Sequence, residues 1–382
     1  MEVKVLRKEA VDMIKNAGGE AFRLCFQCGL CTASCPWNNV RTFMPHKIIT
    51  QSKFGLIERG GEDWWLCTTC NLCLSRCPRG VSTTDIMVAL RRILVEEGRV
   101  PITLRDALEA VFKQGNPWGR ARNKRSEWAE GLGIRDFTQG DKADMLLYVG
   151  CASSYDPRVQ KVSKALVNIF TKAGIDVGIL GNEETCCGNE VRRMGEKGLF
   201  EMLVEHNLEL FHNYGINQIV TISPHCYNAI KNEYQDNKIE VKHYTQFLAE
   251  LVDTGKLTFS HPFEKVVTYH DPCYLGRHNS LYDEPRQILK RIPGLALVEM
   301  LDYRENSLCC GGGGGRMWVE TEKEERFSDL RINQAVDAGA KVLATSCPFC
   351  MLNLEDSLLT MDKGDELEIK DISEIVQEVT EK

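Results

Sequence analysis

The chain has no run of apolar residues approaching the ~18 needed for a membrane-crossing helix. Its opening, MEVKVLRKEAVDMIKNAGGE, alternates charged and apolar residues and does not build the apolar core of a secretory leader. It predicts a short amphipathic helix instead, and a cytoplasmic protein. No phosphate-binding loop ending in Gly-Lys-Ser/Thr is present. The run Gly311–Gly315 is not a dinucleotide fingerprint, because Arg316 stands where the last glycine belongs and cysteines, not a strand, precede it. Flavin and NAD sites are therefore not expected on this chain. A net charge of −7 gives no reason to expect nucleic acid as a partner. The sequence also lacks a stray cysteine: each of the 17 falls into a pattern.

Eight of them form two runs, Cys25-x2-Cys28-x2-Cys31-x3-Cys35-Pro36 and Cys67-x2-Cys70-x2-Cys73-x3-Cys77-Pro78. Thiols this numerous in a chain without an export signal point to metal or redox chemistry, not to disulfides. The doubled spacing is the signature of a ferredoxin-type domain with two [4Fe–4S] cubane clusters. The cysteine before proline reaches the other cluster, which gives one set of Cys25, Cys28, Cys31 and Cys77 and another of Cys67, Cys70, Cys73 and Cys35. Structural zinc usually takes one C-x2-C pair and a distant second pair, so runs of four disfavour it.

The expected architecture is multidomain, α+β followed by α/β. Residues 1–98 form a mostly helical ferredoxin-type domain, with helices near 44–59 and 83–97. Residues 99–143 form a linker whose Trp118, Trp128, Arg120, Arg122, Lys124 and Arg125 could dock a partner or simply make a solvated connector with two anchoring indoles. From residue 144, short apolar strands (145–150, 176–180, 218–223, then 265–270, 296–301, 341–346) alternate with helical segments (158–173, 196–213, 284–291, 322–337). That alternation implies parallel α/β layers. Residues 144–262 and 263–382 read as two copies of one unit, the second ending in an acidic helix. Cys151 to Cys273 is 122 residues, Cys186–Cys187 to Cys309–Cys310 is 123, and Cys226 to Cys347 is 121. Two such lobes are expected to face each other and bring both cysteine sets toward a shared cleft.

The second copy carries Cys273, Cys309, Cys310, Cys347 and Cys350. The first carries Cys151, Cys186, Cys187 and Cys226, with Ala229 read at the position of Cys350. The vicinal pairs are poor disulfides, since neighbouring Cα atoms lie ~3.8 Å apart and disulfides prefer roughly 4.4–6.8 Å. Cys347-Pro348-Phe349-Cys350 also matches a thioredoxin-like dithiol, but a plain dithiol enzyme has no use for the duplicated Cys-Cys-Gly turn. The five glycines after Cys310 let the backbone approach a cluster or ligand closely. His225, His270 and His278 lie beside ligand cysteines as candidate proton donors or substrate-orienting groups, with Arg277 and Arg316 as candidate anion holders. Histidine at a strand end also has ordinary structural uses.

SPHCYNAIKNEY (223–234), HDPCYLGRHN (270–279), CCGGGGGRMW (309–318) and ATSCPFC (344–350) resemble the CCG-domain proteins of the heterodisulfide reductase family. With the ferredoxin runs in front, the chain looks like the fused D-type polypeptide of that family. The resemblance implies a non-cubane [4Fe–4S] cluster on Cys273, Cys309, Cys310, Cys347 and Cys350, acting catalytically with His225 and His270. It leaves the first set open to a cubane, an altered cluster or zinc. It implies electrons passing from the ferredoxin-type clusters to a centre that reduces a small disulfide. The alternative is a non-catalytic electron-transfer subunit linking a flavoprotein, hydrogenase-type or dehydrogenase partner to a membrane quinone or cytochrome b-like subunit, or to an acyl-CoA (benzoyl-CoA type) reductase. Such a partner would hold the chain peripherally on the cytoplasmic face of the membrane. A colourless structural zinc protein is a third reading.

Overall fold

The computed structural model describes residues 7–56, 63–236 and 238–380. The N-terminal helix is seen as Lys8–Ile14, and the next expected helix as Pro45–Phe54. Residues 1–6 and 57–59 of those expectations lie outside the described residues. Helix Thr83–Glu96 starts where Ser82 Oγ accepts the Asp85 N–H, and it buries Ile86, Met87, Leu90 and Leu94. The two cysteine runs fold alike. The middle cysteine of each, Cys28 or Cys70, is flanked by left-handed residues: Gln27 and Gly29 (φ 65° and 80°), Thr69 and Asn71 (φ 54° and 61°). Left-handed backbone is costly for a β-branched residue. Thr69 is held there from outside, by Tyr274 Oη at 2.7 Å from its hydroxyl and His278 Nε2 at 2.8 Å from its carbonyl.

The rest of the chain is built on two parallel sheets. β1 (Arg135–Asp136), β2 (Met145–Tyr148), β3 (Val177–Ile179), β4 (Gln218–Thr221) and β5 (Glu240–His243) make the first, in the order β1-β3-β2-β4-β5. β6 (Val266–Tyr269), β7 (Ala296–Val298), β8 (Val342–Thr345) and β9 (Glu368–Asp371) make the second, in the order β7-β6-β8-β9. Setting β1 aside, the orders are the same, so the duplication extends to topology. The central strands read MLLY, VVTY and VLAT because a parallel strand covered on both faces needs apolar residues throughout. The chain goes to one side of β2 for β3, then crosses to the other for β4, and the second lobe does the same around β6. That reversal leaves a crevice at the carboxyl ends of the central strands, where α/β sheets bind ligands.

The lobes exchange helices about an approximate two-fold. Tyr244–Asp253 of the first packs on Asp283–Arg291 of the second, and Ile372–Thr380 of the second packs on Gln160–Lys172 of the first. Tyr244 Oη donates to Asp371 Oδ1 at 2.8 Å across this seam. Residues 99–143 are more ordered than a solvated connector. They contain helix Ile102–Gln114, strand β1 added to the first sheet, and buried Trp128 and Arg125. The helix expected over 322–337 is a short turn, Lys323–Glu325, and then Phe327–Asp337.

Candidate metal centres

None of the seventeen cysteines is in a disulfide. Cys25, Cys28, Cys31 and Cys77 line one hollow with His46 and Arg79, and Cys28 is exposed to solvent. Cys35 lies instead among Cys67, Cys70 and Cys73, where burial and these neighbours push its thiol up. The fourth cysteine of each run thus sits with the other run's three.

In the second lobe, Cys273 follows the end of β6, Cys309 and Cys310 follow β7, and Cys347 and Cys350 follow β8. All five are buried. They share protons unevenly. The hydrogen bond from Cys273 holds Cys309 below the usual thiol range, and bonds from Cys309 and Cys350 do the same for Cys310. Burial opposes ionisation of Cys347, but bonds from Cys350 and His225 bring it down to about 5. A buried set of soft thiolates in a strand-end crevice fits an iron–sulfur group. Two orphaned buried nitrogens beside it, Arg277 Nη2 and His270 Nε2, support the same fit. A ring nitrogen of His270 and the sulfurs of Cys310 and Cys350 all lie within 4.8 Å of one another. Arg331 Nε donates to His270 Nδ1 at 3.3 Å.

This set also touches the ferredoxin-type domain. The Cys70 thiol lies beside those of Cys309 and Cys273. Arg277 closes the junction, donating to Cys70 O at 2.7 Å and Ser307 O at 2.6 Å. Arg277 thus clamps the two sets through Nε and Nη1, while its buried Nη2 has no protein partner. Arg316 donates to Thr321 Oγ1 at 2.6 Å and lies over the Trp37 ring at 5.3 Å, on the wall of a pocket of about 180 Å³ that reaches Cys310. The glycine run approaches protein: a Cβ on Gly313 would lie 2.5 Å from Thr68 O, and one on Gly314 2.4 Å from Cys67 O. The loop thus seats the second lobe on the cysteine loop of the ferredoxin-type domain.

In the first lobe, Cys151, Cys186, Cys187 and Cys226 line the interlobe cleft with Trp118, Trp318 and Phe349. The structure corrects the position of the missing thiol. Strands β4 and β8 end at Thr221 and Thr345, and the helices after them begin at Pro224 and Pro348. Ser223-Pro224-His225-Cys226 therefore matches Cys347-Pro348-Phe349-Cys350, an offset of 124 that continues the series 122 and 123. Cys226 corresponds to Cys350, and the absent thiol is at Ser223, not Ala229. Ser223 is buried at the cleft, and its Oγ accepts the His225 N–H at 3.2 Å. Gly150 (φ 78°) lets β2 turn toward the site, where a Cβ would come 3.1 Å from Cys226 Sγ. Arg125 lies buried against Cys151 Sγ (3.6 and 3.7 Å) and is paired with Glu184 at 2.7 Å.

Two functional residues escaped the sequence reading. Arg91 donates to the carbonyls of Trp64, Cys67, Arg193 and Gly314, joining the ferredoxin-type domain to both lobes. Its signal was an arginine inside the apolar stripe of helix Thr83–Glu96. Glu190 pairs with His225 Nδ1 at 2.9 Å, and its signal was its place three residues after Cys187. His278 is occupied by Thr69 and Asn71, and its ring stacks on Tyr274 at 4.1 Å, so it braces the cysteine loop.

Known proteins agree with this layout. The cysteine-rich CCG domain matches residues 145–231 and again 267–355, and a 4Fe–4S dicluster domain matches 21–81. A probable iron–sulfur-binding oxidoreductase of Bacillus subtilis is 40% identical over 302 residues, 76% of this chain and 43% of its own length. The EtfAB:quinone oxidoreductase of Syntrophomonas wolfei is 39% identical over 310 residues, 77% of this chain and 43% of its own. The D-type polypeptide of the dihydromethanophenazine:CoB–CoM heterodisulfide reductase of Methanosarcina barkeri is 32% identical over 308 residues, 78% of this chain and 73% of its own. The chain spans less than half the length of the first two. A solved hypothetical protein from Helicobacter pylori shares the fold, with a TM-score of 0.53 at 11% identity over 98% of this chain and 73% of that one. Among the described residues no helix is long and apolar enough to cross a membrane. Paired CCG repeats behind a dicluster domain, together with these relatives, show that the chain belongs to the family of iron–sulfur oxidoreductase subunits that includes the D-type polypeptide of heterodisulfide reductase.

Proposed function

We propose that this chain is a conduit subunit, passing electrons between a flavoprotein-type donor and a quinone-reactive acceptor without turning over a substrate of its own. The observation that carries the reading is the contact of Cys70 with Cys309 and Cys273, which joins the ferredoxin-type thiols to the second-lobe thiols with no polypeptide between them. Clusters on these ligands would supply one-electron redox capacity. Exposed Cys28 marks the outer end of the series, and the buried second-lobe set the inner end. The donor and acceptor classes come from the Syntrophomonas relative, named for coupling EtfAB to quinone. Ser223 in place of a fifth first-lobe thiol favours transfer over a two-centre reaction on one disulfide. The first set is read as a further cluster site because its four buried thiols, Cys151, Cys186, Cys187 and Cys226, repeat the strand-end layout of the second-lobe set.

A second reading is disulfide reduction at the second-lobe set, favoured by the pocket that opens on Cys310 between Trp37, Arg316 and Asn353. One experiment separates the two. The iron-replete protein is reduced with viologen and mixed in turn with a quinone analogue and a panel of low-molecular-weight disulfides. Reoxidation by the quinone alone supports the conduit. Catalytic thiol release from any disulfide overturns it.

A further inference from the structure

The strand-end motifs Ser223-Pro224-His225-Cys226 and Cys347-Pro348-Phe349-Cys350 meet across the approximate two-fold, with the rings of His225 and Phe349 4.7 Å apart. The third residue of each motif reaches toward the opposite lobe. His225 lies beside the Cys347 thiol, close enough for each to bias the other's ionisation. Phe349, its counterpart, lines the cleft beside Ser223 and Cys226. The lobe with the thiol thus receives a hydrogen-bonding ring, and the lobe with the serine receives an apolar one.

His225 is closely held. Its Nδ1 lies 2.9 Å from Glu190 Oε1, and Asn189 Nδ2 donates to the same oxygen at 2.9 Å. Glu190 Oε2 accepts the Gly315 N–H of the second lobe at 2.8 Å. The imidazole stacks on Tyr274 with centroids 4.2 Å apart and planes 27° apart. With Nδ1–H given to a carboxylate, the other ring nitrogen is the one left for Cys347. Carboxylate, imidazole and ligand thiolate form the chain of contacts by which outer residues orient and tune a metal ligand.

We propose that His225, aimed by Glu190, is a positioning residue for the second-lobe centre, donating an N–H···S hydrogen bond from the first lobe to Cys347 and thereby raising the redox potential of the group that Cys347 helps to hold. The proposal rests on reading the second-lobe cysteines as iron–sulfur ligands. Hydrogen bonds to cluster sulfurs are one of the main determinants of potential, because they stabilise the more reduced, more negative state. The first lobe, short of one thiol at its own site, keeps a role at the other's.

The test uses the iron-replete chain and its His225→Phe, His225→Gln and Glu190→Gln variants. Iron content and the Mössbauer spectrum report whether the second-lobe cysteines hold a cluster, and so test the underlying reading separately. Redox titration by EPR and proton ENDOR test the inference. In His225→Phe, which copies the residue at 349, the potential of the second-lobe centre is expected to fall and an exchangeable-proton coupling to disappear, with iron content retained. His225→Gln, which keeps a donor, is expected to restore part of both, and Glu190→Gln to shift the potential the same way by less. An unchanged potential and an unchanged proton coupling in His225→Phe and Glu190→Gln would overturn the proposal. If His225→Phe loses iron, the Gln variants decide: a wild-type potential in both overturns it, and a lowered one in Glu190→Gln sustains it.

Discussion

His243 shows how one residue can set a response of the whole chain. It caps helix Tyr244–Asp253, its Nε2 contacts Ile222 O at 3.1 Å, and it is fully buried. Burial drives its pKa down to about 3, against about 6.5 in an unfolded chain. The folded pKa lies below the unfolded one. As pH falls below about 6.5, the unfolded chain binds a proton that the folded chain refuses, and stability is lost until about pH 3. Denaturant titrations should show a His243 contribution to the slope of up to about 1.4 kcal/mol per pH unit in that window. His243→Asn, which keeps a cap, should remove it. Ser223 supports a second prediction. Ser223→Cys completes a five-thiol set in the first lobe and should change the Mössbauer signature of that site while the second-lobe signal stays as it was. An identical spectrum would mean that position 223 does not face the bound group.

Among the elements, the strands next to cysteines were the readable ones. β2, β6 and β8 are continuous apolar runs because both faces are covered. β5 and β9, sequences EVKH and EIKD, border their sheets and carry charge, so no apolar run announced them. β1 is two residues long and falls in a stretch that looked like a connector. The cysteine runs were legible because ligand chemistry fixes their spacing. The serine that replaces one was misplaced because cysteines alone were aligned, whereas the ends of β4 and β8 set the true register. Arg91 and Glu190 were not legible as a pattern, since the partners that join them to another part of the molecule, Arg193 and Gly314 for Arg91 and Gly315 for Glu190, lie more than 100 residues away. The glycine loop can be tested as an element. Gly339→Ala, at φ 74° in open space, should cost about 1 kcal/mol for left-handed backbone alone. Gly314→Ala, at φ 66° with a Cβ 2.4 Å from Cys67 O, should cost clearly more and disturb the ferredoxin-type EPR signals. Equal losses by urea denaturation would show that the loop is not pressed against that domain.

At the scale of the molecule, the three parts are held together at buried junctions. Arg91 is fully buried and has no ion-pair partner among the described residues, so its four backbone carbonyls carry its bonds. Arg91→Met leaves those carbonyls unpaired at about 1–3 kcal/mol each before relaxation. It should lower stability by at least about 3 kcal/mol and raise protease cleavage between residues 98 and 143. Cleavage at the wild-type rate would show that the domains are held elsewhere. The helix exchange between the lobes has a consequence for how the protein is made. The apolar face of Gln160–Lys172 waits for Ile372–Thr380, which leaves the ribosome some 200 residues later. At about 5–20 residues per second, that face stays uncovered for on the order of 10–40 s of synthesis. The first lobe's cysteines thus emerge well before their lobe can close, which leaves those thiols open during translation to whatever group they bind.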